Sequence, residues 1–147
     1  MDLKSTLQSD LKDAMRSGDE TRKSTLRMAL TAIKLAEVDK GSQMDETAYL
    51  SVIQKEIKAR RESIADAERA HRPELITQSE KEIKVLQGYL PAAFSPDELE
   101  VLVKAAISEV GATSIREMGQ VMKVLVPRLQ GRASNDQASQ VVRKLLQ

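Results

Sequence analysis

The chain has 147 residues, of which 41% are hydrophobic and 31% charged, with a formal net charge of +1 and no cysteine. That length makes one domain or two small ones, and either half alone buries only a marginal core. The balanced charge excludes a diffuse nucleic-acid polyelectrolyte while leaving room for a local patch, and the lack of cysteine excludes disulfides and thiolate chemistry.

Tyr49, Tyr89 and Phe94 are the only aromatics, so the core must be built from Leu, Ile, Val, Met and Ala. Ala, Leu, Lys, Glu, Gln and Arg dominate, and these residues favour helices. The expected fold is an all-α helical bundle. The start, Met-Asp-Leu-Lys, has no basic segment leading into an apolar one, so no secretory signal is expected. No apolar run approaches the roughly 20 residues needed to span a bilayer. The expectation from these features is a soluble cytoplasmic protein with no membrane partner.

The first helix is expected over about Asp2 to Ser17, with Leu3, Leu7, Leu11, Ala14 and Met15 on one face. Gly18 ends it and Asp19 caps the next. The second helix runs over about Glu20 to Val38, with Leu26, Ala29, Leu30, Ile33 and Ala36 as its main stripe. Met28 and Leu35 sit off that stripe, so this helix has two faces to cover. The third starts at Asp45, where Met44 and Tyr49 fit a hydrophobic staple. Tyr49, Ile53, Ile57, Ile64 and Ala67 line one face, and Arg60 falls among them with Glu56 one turn before it. A charge on an apolar face is paired or lies at an opening. Two roles therefore fit Arg60, a structural ion pair and a functional arginine in a groove.

His71, the single histidine, falls at the exit of the third helix, where glycine would be easier. With no cysteine and no second histidine, no metal site is expected. Pro73 opens the fourth helix, whose stripe is Leu75, Ile76, Ser79, Ile83, Leu86 and Leu90. Tyr89-Leu90-Pro91 marks a boundary, because proline disfavours helix at the residue before it. Ser95-Pro96-Asp97-Glu98 is a capping box opening the fifth helix, which Gly111 ends. The sixth is expected to be capped by Ser114 with Glu117, and to bury Ile115, Met118, Gly119, Met122, Leu125, Val126 and Leu129. On that assignment Gly119 lets another backbone come close, while Val121, Val124 and Arg128 lie on the opposite face, where two readings fit: an outer contact surface, or a face covered by the N-terminal module. Pro127 kinks the sixth helix or falls near its end. Ser134 and Gln137 box the start of the seventh, which packs Ala138, Val141, Val142 and Leu145. The chain thus reads as two helical modules, 1–90 and 95–147, with four helices followed by three.

Catalytic chemistry finds little support. The serines fall mostly at helix caps, and no GxSxG, P-loop or Rossmann fingerprint appears, so neither a catalytic residue nor a cofactor is expected. Charge is uneven instead. Residues 91–111 carry a net −3, and residues 112–147 carry a net +4 from Arg116, Lys123, Arg128, Arg132, Arg143 and Lys144 against Glu117 and Asp136. Arg132 precedes the cap of the seventh helix, whose free N–H groups favour an anion. A solvated arginine after a glycine helix stop at Gly131 explains the same letters.

Four segments carry a resemblance across nearly the whole chain: Arg22–Lys34 (RKSTLRMALTAIK), Gln54–Ile64 (QKEIKARRESI), Tyr89–Pro91 (YLP) and Met118–Ala133 (MGQVMKVLVPRLQGRA). In their order and spacing the chain resembles the GatB/YqeY family, in its stand-alone YqeY form. The resemblance implies a four-helix N-terminal module and a three-helix C-terminal module. The second is similar to the tail of the B subunit of glutamine-dependent aspartyl/glutamyl-tRNA amidotransferase, which helps to hold tRNA while chemistry occurs elsewhere. Related tails are also attached to some glutaminyl-tRNA synthetases. Gly119, Val121, Met122, Lys123, Gly131, Arg132 and Ala133 match the shared tail motif, and none is implied to be catalytic. In the N-terminal module His71 departs from the family pattern, in which a glycine is expected at that position.

Three functions follow as expectations. The first is a tRNA-binding accessory module in translation, using Lys123, Arg128, Arg132, Arg143 and Lys144 with Gly119 and Gly131. The second is an adaptor docking on an aminoacyl-tRNA synthetase or amidotransferase through Val121 and Val124. The third, on the resemblance alone, is carbon–nitrogen ligase activity with glutamine as amide donor. The chain has no identifiable amidase nucleophile or nucleotide loop to perform that reaction by itself.

Overall fold

The computed structural model describes residues 2–42 and 44–147; Met1, part of the start on which the expectation of no secretory signal rests, lies outside them. Its regular elements are α1 (Leu3–Ser17), α2 (Glu20–Lys40), α3 (Glu46–Arg69), α4 (Pro73–Gln87), α5 (Pro96–Val110), a 3-10 turn (Ile115–Glu117), α6 (Met118–Leu129) and α7 (Asn135–Leu146). All are helical, as the composition requires. The chain divides into two compact units, Met1–Leu90 and Pro91–Gln147.

Short polar side chains place most of the helix starts. Asp2, Asp19 and Asp45 each accept a hydrogen bond from the backbone N–H three residues on, and full capping boxes form at Ser95/Glu98 and Ser134/Gln137. Each such cap is worth about 1 kcal/mol. His71 leaves α3 with φ of +54°, a left-handed conformation in which a β-carbon is strained, so the departure from glycine there is real and local.

In the first unit, α1 packs on α2 and α3 on α4, while α2 also meets α3 and α4. The core is aliphatic: Leu3, Leu7, Leu26, Ala29, Ile33, Ile53, Ile57, Ile83 and Leu86 surround the ring of Tyr49. Met44 packs on the same cluster, as the staple at the head of α3 requires. Met15 and Leu75, read as core, are instead about half exposed, each in a terminal turn of its helix.

Two polar clusters tie the helices at the edge of this core. The Tyr49 hydroxyl donates to Glu37 at 2.8 Å, and Lys4 Nζ donates to the other carboxylate oxygen at 2.8 Å. The lysine ammonium, with Tyr49 behind it, holds the Glu37 carboxyl below its ordinary range. The Tyr89 hydroxyl donates to Asp10 at 2.6 Å, and Arg22 lies 3.4 Å from the same carboxylate. Burial, reinforced by the Asp10 charge, pushes the Tyr89 hydroxyl up to about 12.

Arg60 is buried at 6% exposure. Its guanidinium donates to the Glu56 carbonyl at 3.0 Å and lies 3.8 Å from the Glu56 carboxylate and 3.5 Å from that of Glu82 on α4. It also approaches the Met28 sulfur at 3.7 Å. The ion-pair role read for it is thus present, bridging α3 to α4 under a residue of α2.

In the second unit, α5, α6 and α7 all contact one another around Leu99, Val103, Ala106, Val121, Leu125, Leu129, Ala138, Val142 and Leu146. The expected core face of α6 holds at Met118, Met122, Leu125 and Leu129 and fails at its edges. Val121 is fully buried and Val124 packs on the core, while Gly119 and Ile115 are exposed. The 3-10 turn before α6, with three residues per turn instead of 3.6, takes Ile115 off the stripe, and Ser114 makes no side-chain cap. Glu117 instead accepts the Thr113 N–H at 3.0 Å. At its other end α6 stops on two successive left-handed residues, Gln130 and Gly131, so the turn starts one residue before the glycine.

Thr25 is fully buried and its hydroxyl has no hydrogen-bond partner among the described residues. Thr25→Val removes that desolvated hydroxyl at nearly constant volume, and chemical denaturation should show a gain of about 1 kcal/mol. A pH prediction follows from the two tyrosines, both held above their ordinary range in the folded chain. A raised folded-state pKa contributes stability that is complete below the unfolded value near 10 and fades as pH rises through the folded value. The unfolding free energy should therefore fall between about pH 10 and the Tyr89 value of about 12, and less steeply in Tyr89→Phe.

Candidate nucleic-acid interface

The six basic residues of 112–147 do not stand in equivalent surroundings. Arg132 has two of its guanidinium nitrogens engaged. Its Nε donates to the Ala92 carbonyl at 2.9 Å, another guanidinium nitrogen lies 3.4 Å from Glu98, and the group stacks 4.1 Å from the centroid of Phe94. Its own carbonyl accepts the Phe94 N–H at 3.0 Å. The arginine therefore ties the strap 91–94 and the start of α5 to the turn between α6 and α7. Arg128 pairs with Glu109 at 2.6 Å, joining α6 to α5.

Arg116, Lys123, Arg143 and Lys144 differ. All four are exposed, and none has a carboxylate partner among the described residues. Arg116 lies in the 3-10 turn, and Lys123 follows it by seven residues, two helical turns on the same side. Gly119 lies between them, exposed, and a β-carbon built there would meet nothing within 4 Å. The backbone of the first turn of α6 is thus open to a large approaching group. Arg143 and Lys144 occupy the last turn of α7, which packs on α6 and on the 3-10 turn. The reversal at 130–134 sends that last turn back toward the start of α6. Cations there also complement the carbonyl end of α7, a structural role worth a few tenths of a kcal/mol up to about 1.

The structure thus separates the residues that the sequence grouped. Arg132, Arg128 and Gly131 belong to one end of the unit, and Gly131 is buried. Gly119 and Lys123 belong to the other end, joined by Arg116, which in the sequence counts only toward the charge balance. Its position three residues before Gly119 was the available signal. The contact surface expected at Val121 and Val124 is absent, since their apolar groups are in the core or packed on it. Among the described residues, no group of three or more His, Asp or Glu side chains is placed to hold a metal ion.

Arg132→Ala should cost about 1–2 kcal/mol of unfolding free energy, because it removes a charge-assisted hydrogen bond and the stacking on Phe94 together. Lys123→Ala should stay within about 0.5 kcal/mol of the parent. Urea denaturation of the two variants measures the difference.

The match to the Yqey-like protein family extends over residues 4–146. Relatives named "Altered inheritance of mitochondria protein 41, mitochondrial" include that of Vanderwaltozyma polyspora, 35% identical over 71% of this chain and 58% of the relative. That of Kluyveromyces lactis is 36% identical over 71% of this chain and 58% of the relative, and that of Pyrenophora tritici-repentis is 33% identical over 86% and 71%. The match thus spans less than two thirds of the length of the first two relatives. Their names overturn the cytoplasmic expectation. It rested on a missing secretory leader, and mitochondrial targeting relies on a different, amphipathic kind of segment. No helix of the described residues is long and apolar enough to cross a membrane. With the family match running through both units, the chain belongs to the Yqey-like protein family.

Proposed function

We propose that the second unit is an RNA-binding accessory module that holds tRNA by shape and phosphate contacts and does no chemistry of its own. In this reading α1–α4 form an N-terminal module and α5–α7 a module of the amidotransferase-tail type. The observation that carries it is the set of exposed cations without carboxylate partners, Arg116, Lys123, Arg143 and Lys144, around the uncovered backbone at Gly119. Phosphates are recognised by such cations together with helix-start N–H groups. The chain's three aromatics are placed elsewhere. Tyr49 is buried, Tyr89 is bonded to Asp10, and Phe94 lies under Arg132. Stacking on splayed single-stranded bases therefore has no platform, which favours recognition of folded RNA. The names of the relatives favour a mitochondrial setting.

The apolar surface that would have motivated an adaptor role for this unit is buried, so RNA is preferred over protein as its ligand.

Filter binding of tRNA over a salt series tests the proposal. Affinity should fall steeply with salt, and alanine at Arg116, Lys123, Arg143 or Lys144 should each lower the slope by about one phosphate contact. Gly119→Ala should weaken binding without loss of stability, since the added methyl meets nothing in the chain. Binding that ignores salt, or no binding by the parent chain, refutes the reading.

A further inference from the structure

The first unit has a surface that its own packing leaves unexplained. Met28, Leu35 and Val38 on α2 are 53%, 62% and 69% exposed. With Thr31 and Ser24 they recur at three- and four-residue spacing, which makes one continuous stripe along the helix opposite its buried Leu26, Ala29 and Ile33. A groove of about 580 Å³ lies along this stripe, lined on the α2 side by Glu20, Lys23, Arg27, Met28, Thr31 and Leu35 and on the α3 side by Glu56. Thr31 and Ala32 are the small residues at mid-length, between the bulkier apolar side chains of Met28 and Leu35.

Its two edges differ in charge. On the α3 side, Glu56 is neutralised by Arg60 beneath it. On the other side, Lys23, Arg27 and Lys34 form a row at four- and seven-residue spacing. Lys23 has a weak partner in Glu20 at 3.5 Å. Arg27 approaches the Met15 sulfur at 3.5 Å, and neither Arg27 nor Lys34 has a carboxylate partner among the described residues. An apolar stripe bordered on one side by unneutralised cations is complementary to an amphipathic helix with an apolar row and an acidic flank. A second copy of α2 fits less well. Copies packed antiparallel about Thr31 and Ala32 bring the same edge of each helix together, so cation row faces cation row.

We infer that the α2 groove is a docking site for an acidic amphipathic helix of a partner protein. The occupant lays its apolar row over Met28, Thr31 and Leu35 and aligns its carboxylates with Arg27 and Lys34. This site lies on the first unit and does not depend on RNA binding by the second.

The test uses the full chain and two synthetic helical probes of the same leucine row, one flanked by glutamate and one by lysine. Fluorescence anisotropy at low salt should show the glutamate peptide binding about tenfold or more tighter than the lysine peptide. Arg27→Glu combined with Lys34→Glu should invert that preference, and Leu35→Glu should abolish binding of both. All three positions are exposed, and circular dichroism checks that the variants stay folded. Amide shifts of the parent chain give an independent readout, expected to change along residues 23–38 and at Glu56. Equal binding of the two peptides, no binding of either, shifts elsewhere, or sedimentation showing α2 occupied by a second copy overturns the inference.

Discussion

Arg132 holds together parts of the second unit that are far apart in sequence. Its guanidinium reaches Ala92, Phe94 and Glu98, which lie before and at the start of α5, from a position after the end of α6. The three helices of that unit are short, and a core of valines, leucines and alanines has little shape to dictate how they meet. A planar group bonded in-plane to a carbonyl and stacked on a ring specifies direction as well as distance. Once the strap and the α6–α7 turn are joined, α5 and α7 are brought to the same side of α6. The first unit solves the same problem with Arg60 between Glu56 and Glu82, and with tyrosine hydroxyls that bond carboxylates across helix pairs.

Such polar fasteners also bear on function, because an engaged cation is a poor ligand for anything else. Arg132 and Arg128 would have to give up existing bonds to meet a phosphate, whereas Arg116 and Lys123 would only have to shed water. Formal charge in a stretch of sequence overstates its available charge. The same reasoning applies on α2, where Arg27 and Lys34 keep their full field because no acidic side chain among the described residues reaches them.

Helix punctuation is legible in this sequence because it is local. Asp2, Asp19, Asp45, Ser95 and Ser134 act on the N–H three residues on, and the letters alone identify them. Core residues of α3 follow the 3.6-residue period throughout, Arg60 included. The core face of α6 is legible at Met118, Met122, Leu125 and Leu129, but not where the 3-10 turn takes Ile115 off the stripe or where Val121 joins the core. The candidate site is half legible. That 112–147 is basic is plain from the letters. Which of its cations are free depends on partners such as Glu98 and Ala92, 34 and 40 residues away from Arg132.

The 3-10 turn at Ile115–Glu117 leads directly into α6. Each residue of an α-helix advances the face by about 100°. Val121 therefore faces inward and Lys123, two residues on, outward. Adding or deleting a single residue in that turn would rotate α6 by a comparable angle against α5 and α7. The chemistry of the edge would then change with no substitution in α6 itself, so the length of this segment is under the same constraint as the identity of the lysine it aims.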